Sequence, residues 1–197
     1  ITFLSNNSSL SVNEYFKKLT KLGFIIEKKE ILLSTHDLIR EMKKRKINDC
    51  WLIGTFGMKE MLESEDISTN NKEAKWVVLG YDTELTYDKL SQGIIMMNGG
   101  AKLIASHPDM VCPSPNGNLP DVGSMLTMIE KTTNKSADII TGKPRPDMIL
   151  NHIKYLGVRP NQCAMIGDRL YTDMVMAKRA ECLSILVLSG ETNKENI

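Results

Sequence analysis

The strongest constraint on the fold is a repeated alternation along the chain. Short apolar runs, each ending in a polar or glycine-containing turn, alternate with segments whose apolar residues recur at helical spacing. The runs expected as strands are 1–4, 30–33, 50–53, 76–79, 102–105, 137–141, 164–166 and 184–188. Between the first two, Ser11-Val12-Asn13-Glu14 reads as a capping box, and Val12, Tyr15, Phe16, Leu19 and Leu22 share one helical face that Gly23 closes. Ser34 is expected to cap a helix through Arg45, and Phe56 to Glu63 to form another. Leu90, Ile94 and Met97 align in a third, and Ser124 is expected to cap a fourth through Lys131. Pro146 suits the first turn of a helix carrying Ile149, Ile153 and Leu156, and a last helix is expected from Thr172 to about Glu181. Strict alternation of this kind specifies an α/β fold with parallel sheets, and the number of units exceeds one small sheet, which points to two α/β modules.

Composition excludes several classes of function. Hydrophobic residues make up 42% of the chain and charged residues 25%, ordinary for a globular protein. The net charge of +1 gives no field that would draw the chain to nucleic acid or a membrane. The basic cluster Lys43 to Lys46 ends a helix and reads as a solvated, dipole-complementing face. No apolar run approaches membrane-spanning length. The four cysteines, Cys50, Cys112, Cys163 and Cys182, are far apart, so a zinc site is not expected and a reducing, cytoplasmic setting is. Cys50 and Cys163 lie in or beside apolar runs and read as small buried hydrophobes, and the twelve methionines as core filler.

Chemistry gathers at the ends of three apolar runs. Leu4 runs into Ser5-Asn6-Asn7, Ile140 into Gly142-Lys143, and Ile166 into Gly167-Asp168, with Asp173 five residues further on. Ligands of open α/β sheets bind at the carboxyl ends of strands. A hydroxyl and exposed backbone N–H groups can hold phosphate oxygens, a lysine offsets their charge, and two carboxylates can hold Mg²⁺. Phosphoryl transfer needs mainly such positioning and charge stabilisation. Separately, each stretch also reads as plain structure: an N-cap segment, a surface lysine before a proline-led helix, and a turn aspartate followed by a helix N-terminal aspartate. A plain nucleotide-binding module is disfavoured, because neither Gly-x-Gly-x-x-Gly nor Gly-x-x-x-x-Gly-Lys-Ser/Thr occurs. The stretch 107–123 holds four of the seven prolines and is expected to be a long loop.

In this order the three stretches resemble the motifs of the haloacid dehalogenase (HAD) superfamily, in its NagD-like, 4-nitrophenylphosphatase-type branch. Phe3 to Ser9 is similar to the second motif, Gly142-Lys143-Pro144 to the third, and Gly167 to Asp173 to the fourth; residues 78–87, 119–124 and 186–192 also look like family sequence. The resemblance implies a Rossmann-like, doubly wound parallel-sheet core, formed by 1–46 and 140–197, and an inserted C2-type α/β cap over 47–139. It implies a Mg²⁺-dependent phosphatase of small phosphorylated metabolites working through an aspartyl-phosphate. Ser5, Asn6 and Asn7 would bind the phosphoryl group, Lys143 would bridge phosphate and nucleophile, Asp168 would ligate Mg²⁺, and Asp173 would support the metal's waters or orient Lys143. His107 and Asp109, with Asp121, would lie in the cap loop facing substrate, although a proline-rich solvent loop also explains them. Neither nucleic acid nor a membrane is an expected partner, and a homodimer through the cap is one assembly the resemblance allows.

Two departures accompany the resemblance. Ala177 and Glu181 stand where the family usually carries glycine, and both are better helix residues than glycine. The family's first motif, Asp-x-Asp-Gly, which supplies nucleophile and general acid/base, has no counterpart here, since no two aspartates are spaced i, i+2. The natural protein is therefore expected to extend upstream of Ile1, and the end at Ile197 to precede a final strand. The other functional class compatible with that gap is a catalytically inactive phosphoryl-binding or scaffold protein.

Overall fold

The computed structural model describes residues 1–196; the expected end of the chain at Ile197 lies outside them. The described chain folds as two compact units, divided between Thr141 and Gly142.

The first unit begins with β1 (Phe3–Ser5), a polar turn, and α1 (Val12–Lys21). The capping box forms as expected: the Ser11 hydroxyl accepts from the Glu14 N–H, and the Glu14 carboxylate accepts from the Ser11 N–H at 2.8 Å. Then follow β2 (Ile31–Leu33), parallel to β1, and α2 (Ser34–Lys44). Next come β3 (Trp51–Ile53), α3 (Phe56–Glu63), β4 (Trp76–Leu79), α4 (Tyr87–Asn98) and β5 (Lys102–Ala105). A small antiparallel ribbon, β6 (Val111–Cys112) with β7 (Leu119–Pro120), precedes α5 (Val122–Thr133) and β8 (Ile139–Ile140). Strands β3, β4, β5 and β8 form one parallel sheet in that order.

Period-two alternation gives this sheet two apolar faces. The registered row Leu52, Val78, Ile104 and Ile139 packs with Leu19 of α1, Leu38 and Met42 of α2, and Met58 and Leu62 of α3. The next row carries Ile53, Leu79 and Ala105, which pack with Met96 and Met97 of α4 and Val122, Met125 and Ile129 of α5. Helices on both faces are what a parallel sheet requires, since neither face can be left to water.

The second unit contains α6 (Asp147–Tyr155), β9 (Ala164–Gly167), a wide turn over Leu170–Met174, α7 (Val175–Arg179) and β10 (Leu183–Leu186), which pairs parallel with β9. In the wide turn the Met174 N–H reaches back five residues to the Arg169 carbonyl at 3.2 Å.

Several local expectations need correction. Ser34 does not cap α2; it is the first helical residue, and its hydroxyl donates to the Asn6 carbonyl at 2.7 Å. Asp121, not Ser124, caps α5, accepting from the Val122 N–H at 2.7 Å, while the Ser124 hydroxyl donates to the Met110 carbonyl. The stretch 107–123 is not all loop, because its middle forms the β6–β7 ribbon. The last helix stops at Arg179, short of Glu181. Cys163 is partly exposed rather than buried, whereas Cys182 is buried. Cys50 is fully buried as expected, and its burial, with Asp49 and Glu63 nearby, pushes its thiol up to about 12, so it acts as neutral filler.

Candidate active site

Within the first unit, the turn after β1 lies at the carboxyl ends of the four-stranded sheet. The Tyr81 N–H, just beyond β4, donates to the Ser8 hydroxyl at 2.8 Å, and Ser106, just beyond β5, donates to the same oxygen at 2.9 Å. Thr55, beyond β3, donates to the Ser9 carbonyl at 2.6 Å. Three strand ends thus hold the turn by side-chain and backbone hydrogen bonds, which is why so many small hydroxyl residues occur between Ser5 and Ser11.

Inside the turn, the Ser5 hydroxyl accepts from the Asn7 N–H at 3.1 Å and remains partly exposed. Asn7 folds back on its own segment, accepting from the Leu10 N–H at 3.1 Å and donating to Ser9 at 3.2 Å. Asn6 is buried, and its side-chain amide donates to both carboxylate oxygens of Asp109, at 3.2 and 3.1 Å. His107, Asp109 and Asp121 are also buried, so a solvent-facing proline-rich loop does not describe them. The structure therefore brings together Ser5, Asn6, Asn7, His107, Asp109 and Asp121, with the 107–123 residues reaching the turn through Asp109. Two grooves of about 660 and 810 Å³ open elsewhere in this unit, along α3 and α4 and around Trp76; none of the expected site residues lines either.

The second unit brings together Lys143, Asp168 and Asp173. Lys143 is buried and donates to Asp173 Oδ1 at 2.7 Å. The other Asp173 oxygen accepts from the Arg169 N–H at 3.2 Å. Asp173 is thus in direct contact with the Lys143 ammonium. A Cβ on Gly167 would stand 2.5 Å from the Asp173 carboxylate, so only glycine lets that side chain fold across the end of β9.

Asp168 follows β9 directly. Its Oδ2 accepts from the Glu191 N–H at 2.8 Å, and Oδ1 makes no hydrogen bond among the described residues. A Cβ on Gly190 would fall 2.1 Å from that Oδ2, so the Ser189-Gly190-Glu191 turn also needs its glycine. Glu191 pairs with Arg169 Nε at 2.6 Å and accepts from the Tyr171 hydroxyl. Sequence reasoning missed Gly190 and Glu191 as supports of Asp168; the available signal was the glycine after the last apolar run. A half-buried carboxylate with one oxygen fixed and one available suits a hard cation that takes few protein ligands. The residues present therefore fit Mg²⁺ at Asp168, with Asp173 committed to the lysine.

Comparison with known proteins identifies the family. A family model described as haloacid dehalogenase-like hydrolase matches residues 1–68, and a HAD-hydrolase-like model matches residues 140–197. The sugar-phosphatase AraL of Bacillus subtilis is 31% identical over 98% of this chain and 72% of its own length. The chain belongs to the haloacid dehalogenase-like hydrolases. Among solved structures of HAD proteins, a 4-nitrophenylphosphatase from Thermotoga maritima is 38% identical, with a TM-score of 0.94 over 99% of this chain and 75% of that one. A nagD protein is also 38% identical, with a TM-score of 0.93 over the whole of this chain and 78% of its own. The α/β HAD fold expected from the motifs is thus the fold observed. Among the described residues, no helix of this HAD chain is long and apolar enough to cross a membrane.

Proposed function

We propose that this HAD protein is a Mg²⁺-dependent phosphomonoesterase acting on small phosphorylated metabolites, sugar phosphates among them, through an aspartyl-phosphate. The observation that carries the reading is the Lys143–Asp173 pair beside an Asp168 carboxylate with one oxygen anchored and one available. Lys143 is a buried fixed cation whose orientation Asp173 sets, so it offsets phosphoryl charge without a reorganisation cost. The Ser5 hydroxyl and the neighbouring turn bind phosphoryl oxygens. Asp168 would hold the metal, which would supply charge neutralisation to the phosphoryl group. The carboxylate nucleophile of this route belongs to the family's Asp-x-Asp-Gly motif, so the assay uses the natural full-length gene product.

The same proposal assigns 47–139 as the substrate-selecting cap and 1–46 with 140–197 as the catalytic core. Strands β3, β4 and β5 with α3, α4 and α5 fall inside the cap range, and α2 packs against the same sheet.

The test is hydrolysis of p-nitrophenyl phosphate and a panel of sugar phosphates with Mg²⁺ and with chelator. Turnover is expected only with Mg²⁺. Asp168→Asn should lower it by about a hundredfold or more, with recovery at raised Mg²⁺ incomplete. Unchanged turnover in Asp168→Asn would remove the metal assignment. Mg²⁺-dependent binding of phosphate analogues with no turnover would favour the scaffold reading instead.

A further inference from the structure

His107 stands between two carboxylates. Its Nε2 lies 3.5 Å from Asp121 Oδ1 and its Nδ1 lies 4.0 Å from Asp109 Oδ2, and all three side chains are nine-tenths or more buried. The three could be taken for cation ligands, since one donor atom from each falls within 4.8 Å of the others. Both Asp109 oxygens, however, already accept from the Asn6 amide, which favours a positioning role for the group. Each ring nitrogen has one carboxylate oxygen as a near neighbour, Asp121 at Nε2 and Asp109 at Nδ1.

Both carboxylates are fixed by further partners. Asp121 is the N-cap of α5, its Oδ1 held by the Val122 N–H. Asp109 accepts the Asn6 amide with both oxygens. Asn6 is held again at its backbone, where its carbonyl accepts from Ser34. Gly123 completes the support: its N–H donates to the Asp109 carbonyl at 2.8 Å, and a Cβ there would stand 2.4 Å from the Pro108 carbonyl. The chain of contacts runs from a helix terminus, through a buried ring, to the residue beside Ser5.

We propose that Asp121, His107 and Asp109 are positioning residues that set the side chain of Asn6, and with it the phosphate-binding turn, rather than groups that touch substrate. The inference rests on the phosphatase reading for its effect on turnover, but not for the contact chain itself. Its content is specific. The carboxylate of Asp109 fixes which way the Asn6 amide points: nitrogen toward Asp109, carbonyl oxygen away from it. An uncharged isostere at position 109 presents donors as well as acceptors and loses that preference. Because the phosphoryl group is common to every substrate, loss of this positioning should cost the same factor in kcat whatever the leaving group. A residue that touched the leaving group would instead change KM for one substrate class.

The test uses the full-length protein and three variants: Asp109→Asn, His107→Asn and Asn6→Ala. Asp109→Asn is expected to lower kcat by roughly 10- to 100-fold, equally for p-nitrophenyl phosphate and for a sugar phosphate, with KM within about twofold. His107→Asn should act in the same direction and less strongly. In the Asn6→Ala background, Asp109→Asn should produce no further loss, because its target is gone. Independently of activity, the Asn6 side-chain NH₂ pair in a ¹⁵N–¹H spectrum should be shifted and slow to exchange in the parent and become solvent-like in Asp109→Asn. Unchanged kcat in a folded Asp109→Asn protein, a KM change confined to one substrate, or losses that simply multiply in the double variant would each overturn the inference. A parent protein without Mg²⁺-dependent turnover would refute the phosphatase reading alone. The Asn6 resonances would then still decide this one.

Discussion

Glu181 stands in the left-handed region, at φ 56°, one position past the α7 cap Ala180. The bonds around it are those of a Schellman closure: the Cys182 N–H donates to the Ala177 carbonyl at 3.0 Å, and the Glu181 N–H to Lys178 at 3.2 Å. A side chain costs about 1–2 kcal/mol in that conformation, and glycine returns part of the gain through its freer unfolded state. Glu181→Gly should therefore raise the unfolding free energy by roughly 0.5–1 kcal/mol, read as a higher urea midpoint with an unchanged slope. A lower midpoint would show that the Glu181 side chain contributes more than its backbone costs. Read as a helix residue, Glu181 looked harmless, because helix propensity is the rule that applies before the helix end is known. The structure puts the glycine preference at this position down to backbone angle. At Asp168 and Asp173 the residues themselves stood out in the sequence, which left open whether Asp173 would serve the metal's waters or Lys143. Only the fold places Lys143 2.7 Å from one carboxylate and the Glu191 N–H 2.8 Å from the other.

At the scale of elements, strands β4 and β5 and helix α3 fall where the apolar spacing put them. Helix ends were harder. Gly23 and Gly157 mark two of them, but Lys46 and Asp66 take the left-handed position after α2 and α3. There the following residues, Ile47 and Ile67, are buried and their N–H groups reach back to Met42 and Leu62. A buried apolar anchor past the helix end ends it as firmly as glycine does, and no local pattern announces it. The start of α4 depends on a buried ion pair. Asp82 is buried, and Lys89 Nζ donates to its Oδ2 at 2.8 Å and to the Gly54 carbonyl at 2.9 Å, joining the ends of β3 and β4 to the helix. Lys89→Met would leave the carboxylate without its cation, and the partial exposure of Lys89 moderates the cost to about 2–3 kcal/mol. Chemical denaturation should show that loss, and Asp82→Asn added to Lys89→Met should recover part of it. A cost below about 0.5 kcal/mol would mean that the pair behaves as a surface bridge.

Over the whole first unit, one apolar cluster ties α1, β2 and α2 to the β3, β4, β5 and β8 row of the sheet. Leu38 of α2 is fully buried in it. Leu38→Ala should therefore cost about 2–5 kcal/mol and lower a single cooperative transition of that unit in the full-length protein, followed by Trp51 and Trp76 fluorescence. Separate early loss of α2, with the sheet signal retained, would show that the helix is only loosely attached. The sequence by itself determined the α/β class, nearly every strand and the capping box of α1, and it singled out the residues proposed for phosphoryl chemistry. Those features rest on local periodicity and on side-chain types at strand ends, and both are written along the chain. The tertiary structure alone decided what those residues do to one another. Asp109 is 103 positions from Asn6 and Asp173 is 30 from Lys143, yet each pair is in hydrogen-bond contact. Where burial removes water as the competing partner, as at Asp109 and Lys143, long-range neighbours fix an orientation that no sequence neighbour dictates.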